Sequence, residues 1–88
     1  MKTVFRKSFE RDLKKIKDRS ILEQVKQAIE EVEAAVSLKE VSGVKRLSGA
    51  GGFYRIRVGE YRIGIASEAS EVEFVRRLHR REVYRYFP

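Results

Sequence analysis

Residues 53–66 read FYRIRVGEYRIGIA. On either side of Gly59-Glu60 every second position is apolar: Tyr54, Ile56 and Val58 before it, then Tyr61, Ile63 and Ile65 after it. A period of two marks a half-buried strand, and a two-residue connection with glycine first suits a type II′ hairpin. The pattern therefore predicts strands over 53–58 and 61–67. The alternate positions hold Arg55, Arg57 and Arg62, where a solvated face would more commonly carry neutral polar residues. A third strand is predicted over 71–78, with Val72 and Phe74 on the apolar side, joined through the short segment SEAS. Strict alternation then puts Glu73, Val75, Arg77 and His79 on the arginine side. Like charges directly across a hairpin destabilise it, so four arginines on one face call for an anion or a functional reason. The plainer reading is that arginine stems shield an uncovered sheet face while their heads reach water.

The chain before the hairpin is helical in pattern. TVFRK, residues 3–7, alternates as a short strand, and Ser8 is placed to cap a helix carrying Phe9, Leu13 and Ile16 on one stripe. Ser20 and Glu23 form a capping-box pattern ahead of a longer stripe, Leu22, Val25, Ala28, Ile29, Val32 and Val36. Residues 37–52 have no sustained period and hold four of the six glycines, which predicts a loop. The expected fold is α+β: two N-terminal helices packed on one face of an antiparallel sheet, in the order β-α-α-β-β-β with a short C-terminal segment. Residues 1–88 are expected to form one domain.

Composition narrows the function. The 88 residues include 20 Lys plus Arg against 13 Asp plus Glu, for a net charge of +7, the balance expected of a protein with a polyanionic or acidic partner. Residues 1–44 carry ten basic and eight acidic side chains, whereas residues 45–88 carry ten and five. After Lys45 all nine basic residues are arginine, whose planar fork suits phosphate contacts better than a lysine does. There is no cysteine and a single histidine, so no disulfide framework, thiolate site or recognisable metal-ligand spacing exists. No cofactor is expected. Neither a signal-peptide run nor a membrane-length apolar stretch is present, which predicts a cytoplasmic location without membrane contact.

The C-terminal LHRREVYRYFP completes the pattern. YRIRVGEYRIGI followed by HRREVYRYF resembles the RelE/ParE superfamily of toxins from type II toxin-antitoxin modules, in particular its RelE-like branch that cleaves messenger RNA. The similarity covers nearly the whole chain, through the element order, the KRLSG approach to the hairpin and the terminal segment. It implies an endoribonuclease that cuts messenger RNA in the ribosomal A site, inhibits translation and is neutralised by a cognate antitoxin. Arg55 and Arg57 fall where some relatives carry lysines, Arg62 matches the arginine after the tyrosine, Arg80 or Arg81 the later arginine, and Tyr84 the near-terminal tyrosine. His79 matches a histidine found in several branches.

Metal-free RNA cleavage uses the neighbouring 2′-hydroxyl as nucleophile, and its phosphorane carries extra negative charge that arginines are suited to stabilise. Arginine stays protonated, so the hairpin offers no base. His79 is the one side chain whose ordinary titration range suits proton transfer near neutrality, and Tyr84 is the alternative. The expected site is thus His79, Arg62, Arg80, Arg81 and Tyr84 for chemistry, with Arg55, Arg57 and Arg77 binding phosphate and Lys45 and Arg46 available to ribosomal RNA. Two other functions fit the same fold: a ParE-like toxin that poisons gyrase by binding, and a nonenzymatic nucleic-acid-binding module. SGAGG lacks the Gly-Lys-Ser/Thr ending of a phosphate loop and reads as a connection.

Overall fold

The computed structural model describes residues 1–47, 49 and 51–88. Its elements run β1 (Lys2–Phe5), α1 (Lys7–Lys14), α2 (Arg19–Ala34), β2 (Val44–Arg46), β3 (Phe53–Val58), β4 (Tyr61–Glu68), β5 (Glu71–His79) and α3 (Val83–Tyr86), with a single 3-10 turn at Leu38–Glu40. The five strands form one sheet in the order β1-β5-β4-β3-β2. The α+β architecture with two helices on the sheet agrees with the sequence pattern, with three differences. β1 pairs with β5 in parallel, so the sheet is mixed at that edge. The stretch expected to be a loop contains β2, which pairs antiparallel with β3. The terminal segment is a short helix.

The helix caps also differ from the expected ones. α1 begins one residue before Ser8, whose hydroxyl instead donates to the Val75 carbonyl at 2.6 Å. Asp18, not Ser20, caps α2, accepting from the Ser20 amide at 2.8 Å. Hydrogen bonds donated by the Ser20 hydroxyl and by its amide hold the Asp18 carboxyl below its ordinary pKa.

The hairpin is as the alternation predicts. Gly59 has φ +59 and Glu60 does not share a positive φ, the type II′ pattern. Ile56, Ile63, Ile65, Val72 and Phe74 are fully buried against Phe9, Val25 and Val32 from the helices. Tyr54 packs against this core from its margin. Phe5 stacks on Phe74 at a ring separation of 5.3 Å and Phe9 meets it at a tilt at 5.4 Å, tying β1 and α1 to β5.

A second, smaller core lies on the other side of the sheet. Leu78, Val83 and Phe87 are buried there, with Leu47, Phe53 and Val75 packed around them. It fixes α3 over the middle of the sheet and leaves the hairpin end of that face open.

Candidate functional site: a cationic sheet face beside the terminal helix

Strand register sets which arginines meet. Lys45 stands opposite Arg55, Arg55 opposite Gly64, and Arg57 opposite Arg62. Residues directly opposite share a face, so Lys45, Arg55, Arg57 and Arg62 emerge together on the side away from α1 and α2. Arg46 pairs with Tyr54 and therefore points to the helix side, away from this set. β2 thus brings a lysine to a face that the hairpin supplies with arginines only. The sequence pattern missed this placement because three residues are too few to show a period.

Arg55 and Arg62 are held rather than splayed. Arg62 donates from Nη1 to the carbonyls of Gly59 and Tyr61, both at 2.9 Å, and Arg55 donates from Nη1 to the Gly43 carbonyl at 2.7 Å. The Arg55 Nε is buried without a partner. Burial lowers the pKa of Arg62, repulsion from Arg55, Arg57 and Arg80 lowers it further, and Tyr84 acts in the opposite sense. Four side chains are therefore within electrostatic reach of Arg62. Among the described ion pairs none involves Arg55, Arg57 or Arg62.

Arg80 and Tyr84 come from the terminal segment. The Arg80 amide donates to the Glu60 carbonyl at 2.8 Å, and its Nε meets the Glu60 carboxylate at 2.7 Å. The segment after β5 is thereby pinned to the hairpin tip. Val83 and Phe87 bury beneath α3, leaving Tyr84 64% exposed beside Arg62. Of the two arginines that match the family pattern, Arg80 is the one brought to the cluster. Arg81 is exposed, and its amide donates to His79 Nδ1 at 3.2 Å.

Arg77 and His79 do not lie where alternation put them. The β4–β5 register pairs Ile65 with Phe74 but Gly64 with Arg76, so Val75 is an extra residue in β5. A one-residue bulge reverses the facing of everything after it. Arg77 now stands opposite Ile63 and His79 opposite Tyr61, on the helix side. The Arg77 guanidinium sits 4.0 Å over the Tyr61 ring, and His79 meets the same ring edge-on at 5.5 Å. The Arg81 amide occupies His79 Nδ1, which leaves Nε2 as the ring nitrogen outside that contact.

The bulge is stabilised by a residue that the sequence pattern did not single out. Asp12 of α1 is only 6% exposed; it accepts from Arg76 Nε at 2.8 Å and from the Arg77 amide at 2.9 Å. The hydrogen bond from Arg76 to Asp12 raises the Arg76 pKa against the opposing effect of burial.

Among the described residues no helix is long and apolar enough to cross a membrane. Comparison with known proteins agrees with the fold. Residues 3–84 match the family described as ParE toxin of the type II toxin-antitoxin system, parDE. The chain is 42% identical over 89 residues to Toxin RelE3 of Methanocaldococcus jannaschii, covering 100% of both. Its structure resembles the RelB-RelE antitoxin-toxin complex from Methanococcus jannaschii, with TM-score 0.80, 40% identity, and 97% and 99% of the two chains covered. It also resembles the toxin-antitoxin complex RelBE2 from Mycobacterium tuberculosis, with TM-score 0.67, 26% identity, and 90% and 96% covered. The chain belongs to the RelE/ParE superfamily of toxins from type II toxin-antitoxin modules.

Proposed function

We propose that this toxin is a metal-independent endoribonuclease that cuts messenger RNA in the ribosomal A site, acts in the cytoplasm, and is neutralised by a cognate antitoxin. The observation that carries the reading is the convergence of Arg55, Arg57, Arg62, Arg80 and Tyr84 on one open sheet face. The similarity to toxins found with antitoxins supports the partner.

In this reading the 2′-oxygen of the nucleotide bonds to the adjacent phosphorus, and the bond from phosphorus to the 5′-oxygen breaks. A 2′,3′-cyclic phosphate and a 5′-hydroxyl result. Arg57 and Arg62 bind the non-bridging oxygens, where the phosphorane gathers charge, and Arg55 and Lys45 hold the neighbouring phosphate. Arg80 lies at the leaving oxygen, which takes its proton from the Tyr84 hydroxyl. His79 faces the other side of the sheet with Nδ1 occupied, so the 2′-hydroxyl proton passes to water. Among the described residues no three His, Cys, Asp or Glu side chains are grouped to hold a metal, and the donor set favours electrostatic over metal catalysis.

The family description favours a second reading, a ParE-like toxin that binds gyrase. Mapping transcript ends after brief expression separates the two. Cuts at A-site codons that disappear with Arg62→Ala and Tyr84→Phe support the nuclease; intact transcripts with arrested supercoiling support the gyrase poison.

A further inference from the structure

The bulge that removes Arg77 and His79 from the cationic face also shapes the edge of the sheet between α1 and the terminal segment. β1 pairs with β5 only as far as Phe74, so the stretch from Arg76 to His79 forms an edge flanked by α1. Two adjoining cavities lie along it, of about 470 and 450 Å³. The first is lined by Lys15, Arg77, His79, Tyr61 and Tyr86, the second by Arg11 and Lys14, and the two share Asp12, Lys15 and Arg76. The Asp12–Arg76 ion pair is common to both, so the two adjoin along one groove-like edge.

Its charge is positive. Asp12 is already engaged by Arg76 and by the Arg77 amide, which leaves Glu82 as the other carboxylate facing four further cations. Tyr86 stands 51% exposed at the rim, while within the groove the Tyr61 ring is packed against the Arg77 guanidinium and His79. Cations beside exposed rings are the features that bind single-stranded nucleic acid, phosphate to cation and base to ring. An amphipathic protein helix would need several apolar anchors, and the one aliphatic residue along the groove, Leu78, has its side chain buried under α3. Glu82 and Tyr86 line the groove and belong to the same terminal segment as Arg80 and Tyr84, so that segment borders both the groove and the cationic face.

We infer that the groove along the β5 edge is a second RNA-binding site, which holds the single-stranded segment flanking the phosphate bound on the arginine face. The inference rests on the reading of that face as an RNA site. The bulge makes one strand serve both sites, sending Leu78 under α3 and its neighbours Arg77 and His79 into the groove.

The test uses the full chain and a single-stranded RNA carrying a 2′-O-methyl group at the cut nucleotide, so that binding is read without cleavage. Fluorescence anisotropy compares oligonucleotides of about three and about eight nucleotides, the longer one within the range that a single groove spans. The longer RNA should bind the parental protein about tenfold more tightly, and the combined variant Lys14→Gln, Lys15→Gln, Tyr86→Ala should lose that gain and flatten the salt dependence by about two charges. A charge-matched control, Lys26→Gln with Lys39→Gln, should keep the length gain, and thermal melts establish that both variants fold. A gain that survives in the groove variant, or that the parental protein never shows, overturns the inference. So does a groove variant that loses affinity for an acidic antitoxin peptide while holding RNA as before. If the long RNA binds through the groove and transcripts are nevertheless left uncut, the nuclease reading fails and the groove stands.

Discussion

The ring of Phe87 lies so close against Gly64 that a Cβ on that glycine would sit 2.6 Å from the nearest ring carbon. Phe87 is 3% exposed and meets Phe53 edge-on at 5.7 Å, so this contact seats the terminal segment that carries Tyr84. Gly64→Ala should displace the ring, cost about 1–3 kcal/mol by overpacking, and lower cleavage by moving Tyr84. Phe87→Ala should do similar damage by leaving a cavity. Because both act on one contact, the double variant should cost less than the two singles added together, a difference that denaturant melts resolve.

Arg57 and Arg62 are paired directly across the hairpin with no carboxylate between them. Arg57→Gln should therefore raise stability, by about 0.5 kcal/mol, while lowering cleavage. Folding lowers the pKa of Arg62, so its charged form costs stability at every pH below that depressed value. The gain from Arg57→Gln should accordingly be flat across the neutral range and shrink as salt rises. A loss of stability in low-salt thermal melts would contradict this account.

Ala69 occupies the turn between β4 and β5 with φ +56, a conformation that costs any side chain. Ala69→Gly should relieve it and add about 1 kcal/mol to stability, offset in part by the greater freedom of glycine when unfolded. The turn is remote from the cationic face in the β4–β5 ladder, so cleavage by this variant should match the parent.

Much of this architecture is legible because it is periodic. Tyr54, Ile56 and Val58 against Ile63 and Ile65 specify a hairpin with one buried face, and the same rule makes Arg55, Arg57 and Arg62 neighbours. What alternation cannot register is a single inserted residue. Val75 looks like any other strand position, yet it reverses Arg77 and His79, and with them the assignment of the histidine to the arginine face. Asp12 was equally hidden, since a carboxylate among Lys14, Lys15 and Arg11 reads as a solvated helix charge. It is buried only because the bulge presents Arg76 and the Arg77 amide to it. β1 and β2 depend on long-range pairing, and nothing within four or three residues announces a partner.

The same contact makes Asp12 the carboxylate on which the bulge depends. Asp12→Ala leaves the Arg77 amide and the Arg76 guanidinium without their acceptor and should cost about 1.5–3 kcal/mol, the range for hydrogen bonds to a charged group. Asp12→Asn keeps one oxygen for the amide and should cost less. Hydrogen exchange at Arg77 reports the local effect: its amide should lose protection in the alanine variant more than amides of β3 do.

Glu60 is the one carboxylate described in contact with a cation of the cationic face, and its two contacts with Arg80 have different roles. The backbone bond at 2.8 Å holds the segment, and the 2.7 Å ion pair orients the guanidinium. Glu60→Gln keeps the first and releases the second. Both side chains are well exposed, 50% for Arg80 and 68% for Glu60, so stability should change by less than about 1 kcal/mol. Catalysis should respond in two directions. Removing a negative charge from the rim strengthens the attraction for RNA and lowers KM, while a loosened Arg80 stabilises the leaving oxygen less well and lowers kcat, by about tenfold. A fall in both parameters would identify Glu60 as positioning Arg80. An unchanged kcat would show that the terminal segment holds Arg80 in place through the backbone alone.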